Sequence, residues 1–259
     1  MKKFIIPLIL TSLLTMACGS QQEKTDNEVQ TTDTLAFVLE GDSTLYGLVC
    51  EGTTDTLLLF LQNEKVDEDP DTFDILNAMR THSVFGQLKT GDDVAVVRNH
   101  ADSTVADIVI SMKNLRNTWC YQMLPTLHLR AGMDGKTEQQ MTANLPDSIR
   151  EQLKVPREYV LELESDHSVF SHSTVRNDVP KDEEDIVEYP MAKHYSLWHL
   201  YNGKLLLTLM KIDTQGKMVP AGIDTAQFVM MNRDTLILKF SDGLLHCYPE
   251  KHEATHGNS

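Results

Sequence analysis

Basic residues are few in this chain of 259: 23 Lys and Arg stand against 38 Asp and Glu, a formal net charge of −15. That balance argues against nucleic acid or anionic lipid surfaces as partners. Cysteine is scarce as well, at four. Beyond Cys18, the three at Cys50, Cys120 and Cys247 allow at most one intramolecular bridge, and no two lie close enough for a zinc pattern. Each sits in an apolar strand-like run, so the expectation is three small buried hydrophobes. Apolar runs long enough to cross a bilayer as a helix are absent. So are a Gly-x-Ser-x-Gly elbow and a phosphate-cradling loop. No catalytic constellation is legible, and the reading is of a protein that is not an enzyme and carries no cofactor or metal.

A short apolar run is present at the start. Lys2 and Lys3 precede apolar residues 4–14, the layout of a secretory signal over residues 1–17. The stretch Leu14-Thr15-Met16-Ala17-Cys18 resembles the lipobox of bacterial lipoproteins. The resemblance implies cleavage before Cys18, lipidation of its thiol and acylation of the new N-terminus. One acyl chain binds a membrane only marginally, whereas two or more anchor stably. In that family an Asp after the cysteine favours inner-membrane retention. Gly19 and Ser20 follow here, which implies an outer-membrane address, with the face left open. Residues 18–33 lack an apolar period and read as the anchor and a flexible tether.

The remaining chain has a dominant period of two. It is cleanest where Tyr159, Leu161 and Leu163 alternate with Glu158, Glu162 and Glu164, predicting a strand with one face in a core. Turn signals such as Asn202-Gly203 and Asp242-Gly243 separate short strands, so the class is mainly β and antiparallel. One helix is expected near residue 150, capped by Ser148 with Glu151 as its capping-box partner and ended by Pro156. A weaker helical pattern covers residues 72–80.

Two separable β modules follow, divided near residues 115–117, with a polar tail over residues 251–259. In residues 34–115, the turn Gly91-Asp92 before a hydrophobic strand looks like that of small OB-like or SH3-like barrels. Residues 116–250 hold about eight candidate strands, near 118–124, 126–130, 158–165, 168–175, 194–202, 204–211, 225–231 and 234–248. This half resembles the lipocalin-like domains of bacterial lipoproteins. The resemblance is carried by Asn117-Thr118-Trp119 at its start, by Trp198 before Asn202-Gly203, and by the late hairpin over residues 228–240. It implies an up-and-down antiparallel barrel whose interior takes a small apolar ligand.

Candidate ligand-lining residues are Trp119, Tyr121 and Trp198, which would either line a pocket or plug a closed end. His167 and His172 should project to opposite faces of a strand and share no metal, and His252 and His256 belong to the tail. The acidic loops at residues 64–69 and 181–185 lack the spacing of a calcium loop. The expected function is non-enzymatic binding of a small hydrophobic ligand by a lipid-anchored envelope protein. The alternative is an interaction module that docks another envelope protein or a glycan.

Overall fold

The computed structural model describes residues 40–63, 67–127, 145–173 and 187–250. The leader, Cys18 and its tether, the acidic loops at 64–66 and 181–185, and the tail therefore lie outside the described residues in whole or in part. The first half forms strands β1 (Thr44–Val49), β2 (Leu57–Gln62) and β3 (Asp71–Asp74), helix α1 (Leu76–Arg80), and strands β4 (Val84–Phe85), β5 (Asp93–Arg98) and β6 (Ala106–Ser111). They build a six-stranded sheet in the order β3-β2-β1-β5-β6-β4. A bridge between Asp74 and Val105 brings β3 round to the lead-in of β6, so the sheet rolls up on itself. Val49, Leu58, Phe60, Phe73, Ile75, Val94, Val96 and Val109 fill it.

The helical pattern expected over residues 72–80 is corrected. Its first part pairs with β2 as a strand, Phe73 opposite Leu58, and only Leu76–Arg80 is helical. Phe73 is better buried against the Phe60 ring, 5.8 Å away, than it would be on a one-turn helix. Strand β5 departs from simple alternation too: four consecutive residues, Val94 to Val97, are buried. The cause is that both faces of this sheet are covered. Val94 and Val96 point into the rolled sheet, and Ala95 joins the second core.

Helix α2 (Met112–Leu115), capped by the Ser111 hydroxyl accepting from the Asn114 N–H, turns the chain into the second half. There β7 (Thr118–Met123), β9 (Arg157–Leu163), β10 (Val169–Ser173), β12 (Tyr195–Tyr201), β13 (Lys204–Ile212), β14 (Met218–Met231), β15 (Leu236–Phe240) and β16 (Gly243–Pro249) form one sheet. Its order, β10-β9-β7-β16-β15-β14-β13-β12, is a strictly antiparallel meander in which the last strand pairs with the first. The remaining gap, between β10 and β12, is spanned by a Ser168–Leu197 bridge and by the Trp198 N–H donating to His167 O at 2.9 Å. This is the up-and-down barrel that the resemblance implied. Short strands β8 (Thr126–Leu127) and β11 (Val187–Glu188) pair outside it.

Helix α3 (Asp147–Gln152) corrects the capping expectation. Pro146 occupies the cap position with extended backbone, and Ser148 falls inside the first turn and makes no cap bond. Glu151 pairs with Lys154 at 2.8 Å instead of closing a box. Cys50 is corrected as well: it follows β1 half-exposed, while Cys120 and Cys247 are buried, and all three are free. Register places Cys120 opposite Tyr248 and Cys247 opposite Tyr121, so these two thiols project from opposite faces of the sheet. Burial pushes Cys120 up to about 11 and Cys247 up to about 12.

The change of sheet falls at α2, yet the core crosses it. Phe85, Ala95, Ile110, Met112 and Leu115 belong to the same cluster as Trp119, Trp198, Leu205 and Phe228. Polar contacts reinforce the join. The turn between β12 and β13 has Asn202 at φ 47° and Gly203 at φ 77°, the left-handed pair of a tight hairpin. Asn202 Oδ1 accepts from Ser43 N–H at 2.9 Å and Ser43 Oγ at 2.6 Å, while Asn202 Nδ2 donates to Gly41 O at 3.0 Å. The Asn202 N–H donates to Asp42 Oδ1 at 3.0 Å. The left-handed conformation favours glycine at 203, where a Cβ would lie 2.4 Å from Ile108 Cδ1 and make that side chain move.

Candidate functional site: a cup at the open end of the barrel

Strand direction gives the barrel two unlike ends. At the end next to α2 lie Trp119, Leu163, Val169, Trp198, Met231 and Leu236, all buried. At the other lie Met123, Tyr195, Phe240 and Gly243, where the interior opens into a cup of about 310 Å³. Its apolar wall includes Met123, Leu161, Phe240 and Leu245, and its floor meets Tyr121. A volume of this order is at the lower limit of small-molecule sites (about 300–1,000 Å³).

The segment after β11 crosses this end and supplies Pro190, Met191 and Lys193 to the cup. It is held by the Tyr159 hydroxyl donating to Pro190 O, and by Arg157 stacked over the Tyr189 ring at 3.9 Å. Tyr189 in turn donates to Val155 O at 3.0 Å.

Polar groups gather on one side of the mouth. Lys193 Nζ lies 3.0 Å from Asp224 Oδ2 and 3.3 Å from Asp242 Oδ2, and the Tyr195 hydroxyl donates to Asp224 at 2.8 Å. Burial works against the Lys193 charge, but the two carboxylates outweigh it and raise its pKa. Burial likewise opposes the Asp224 charge, and the Tyr195 and Lys193 hydrogen bonds overcome it, leaving Asp224 below its ordinary value. Burial first, then the Asp224 carboxylate, pushes Tyr195 upward, and burial takes Tyr121 up to about 12. Both phenols are therefore neutral hydrogen-bond donors at any ordinary pH.

Of the three aromatic residues singled out in the sequence, the cup takes one. Tyr121 lines it and stacks on Tyr159 with ring centroids 5.5 Å apart. Trp119 and Trp198 are fully buried toward the closed end, where each indole N–H donates to a backbone carbonyl, Leu115 O at 3.0 Å and Glu164 O at 2.9 Å. Both tryptophans therefore pack as core at the closed end, and of the three only Tyr121 lines the cup. Sequence reasoning missed Lys193, Tyr195 and Asp242. The Asp242-Gly243 turn was visible, but only the closure of β16 on β7 shows that it rims the same opening as residue 193.

His167 and His172 do not meet. His167, at φ 68°, meets the Trp198 ring at a tilt, 4.7 Å between centroids, and stacks on His199 at 5.3 Å, along the seam between β10 and β12. Among the described residues no group of His, Cys, Asp and Glu is arranged to hold a metal ion. Among the described residues no helix is long and apolar enough to cross a membrane.

No known family model matches this chain, and no curated protein matches it. A crystal structure of a lipocalin-like protein from Bacteroides thetaiotaomicron is similar to it at 14% identity, covering 53% of this chain and 97% of that one with a TM-score of 0.28.

Proposed function

We propose that this protein is a non-enzymatic binding protein of the cell envelope, anchored through lipid on Cys18, that holds a small hydrophobic ligand in the open end of its barrel. The observation that carries the reading is the cup. One end of the barrel is filled by its own side chains and sealed by a second sheet. The other keeps about 310 Å³ lined mainly by apolar groups, with a few convergent polar ones. Apolar burial supplies affinity at roughly 25 cal/mol per Å², and the polar cluster orients the ligand.

The test is a titration of the whole chain carrying Cys18→Ala, so that no acyl group of its own competes. A neutral naphthylamine dye should gain fluorescence saturably and be displaced by a medium-chain alcohol. Met123→Trp, which fills the cup, should abolish the response while leaving a cooperative melt. A dye response unaffected by Met123→Trp, or no saturable response, would sink the reading. The interaction module would then stand, with exposed Ile212, Ile223 and Met230 on the outer barrel wall as its first candidates for contact. The anchor is tested separately: wild-type protein should enter the detergent phase and carry labelled fatty acid, and Cys18→Ala should do neither.

A further inference from the structure

The identity of the ligand's head group can be argued one step further, on the premise that the cup is a ligand site. Among the described residues the charged side chains lining it are Lys193 and Asp242, and Asp224 stands directly behind Lys193. A fatty acid entering tail-first would need the Lys193 ammonium for its carboxylate. That ammonium already faces two carboxylates at 3.0 and 3.3 Å, and the three groups sum to one negative charge. A third carboxylate would have to displace one of them or share a single cation in a partly buried site, where like charges repel more strongly than in water.

Asp224 is fixed from two sides, by Lys193 and by the Tyr195 hydroxyl, and its side chain is 26% exposed. Asp242 has the longer contact, is 67% exposed and sits in the hairpin turn at the rim, between Phe240 and Gly243. It is therefore the acceptor free to turn toward a ligand. Gly243 and Leu244 beside it and Met191 across the opening give an apolar path inward. The volume fits one hydrocarbon chain better than a two-chain lipid.

We infer that the cup takes a single-chain amphiphile with a cationic head, a primary alkylammonium by class, with Asp242 as its anchor and carboxylate amphiphiles disfavoured. The tail occupies the apolar wall, and the head lies at the rim, where Asp242 accepts from it.

The experiment compares decylamine, decanol and decanoate, each below its micelle-forming concentration, by displacement of the neutral dye at pH 7. The amine should bind ~10-fold tighter than decanoate, with the alcohol between them, a spread that corresponds to about 1.4 kcal/mol. Asp242→Asn should bring the amine down to the alcohol. Asp234→Asn, the same charge change in the turn at the closed end, should leave the order intact, which separates the anchor from the general negative field of the chain. Decanoate binding as tightly as decylamine, or an amine preference that survives Asp242→Asn, would overturn the head-group assignment while alcohol binding keeps the cup reading alive. If none of the three displaces the dye, both fall together.

Discussion

The two ends of the barrel are made by the same strands and share the same alternation, yet one is a core and the other a vessel. At the closed end the inward positions are large and mutually packed, and Phe85 and Ile110 of the neighbouring sheet, with Leu115 of α2, pack against them. Phe85 meets Phe228 with ring centroids 5.3 Å apart, and the Gly86 N–H donates to Met231 O at 2.9 Å. At the open end, among the described residues, the segment over 189–193 crosses the mouth and is tied by individual side-chain bonds such as Tyr159 to Pro190. A sealed end needs large side chains and a second layer to exclude water. An end that admits a ligand needs the second layer removed and the inward side chains spaced apart. The first half of the chain is in this sense a stopper for the second.

The comparison breaks first, and with the largest effect, if the stopper is withdrawn. Residues 116–250 expressed alone should lose cooperative melting, because the Trp119 end would face water without Phe85, Ile110, Met112 and Leu115. Independent, cooperative melting of both halves would show instead that the shared cluster is dispensable. Next is the plug itself. Trp198→Ala should cost ~3–5 kcal/mol in denaturant unfolding, as truncation of large buried aromatics does, and a loss under 1 kcal/mol, measured the same way, would mean that end is loosely packed.

The join comes third. Asn202→Ala removes its bonds to Gly41 and Ser43 and should cost ~1–3 kcal/mol. In a double-mutant cycle it should couple to Asp42→Ala, since both residues share one network.

The seam should respond to acid. Burial lowers the His167 pKa, and burial together with the neighbouring His167 charge lowers that of His199. Arg116 also disfavours the charged form of His167, while the Trp198 carbonyl and Asp166 favour it without prevailing. The folded state therefore binds fewer protons than the unfolded chain. Stability from this pair is fully present above the ordinary histidine pKa of about 6.5 and is lost as pH falls through the lowered folded values. Melting temperature should decline between pH 7 and 5, and His167→Gln with His199→Gln should flatten that slope. The smallest effect belongs to the rim: Met191→Ala, at an exposed position, should change stability by less than ~0.5 kcal/mol yet weaken the dye several-fold.

Much of the barrel was legible because period-two patterning and tight turns are local signals. Tyr159, Leu161 and Leu163 are buried as their alternation demands, and Asn202-Gly203 is a hairpin turn. The same signals fail where burial comes from a partner element. Val94, Ala95 and Val96 read as one apolar run because two different cores claim alternate residues. Ser148 had the spacing of a cap, but the helix starts two residues earlier, with Pro146 at the cap position. For the site, the aromatic positions were visible, and their division into plug and lining was not. That division depends on distance along the barrel axis, which strand period does not encode. Lys193, Tyr195 and Asp242 lie on two rim segments nearly fifty residues apart and meet only when the sheet closes.

Methionines mark both ends of the barrel, which makes the central claim directly measurable. Met123 and Met191 line the cup, whereas Met112 and Met231 belong to the closed end. In protein with isotopically labelled methionine methyl groups, added decanol should shift the Met123 and Met191 resonances along a saturable curve and leave those of Met112 and Met231 in place. Shifts of equal size at both ends, or none at Met123 and Met191, would contradict the account of one sealed end and one ligand-holding end.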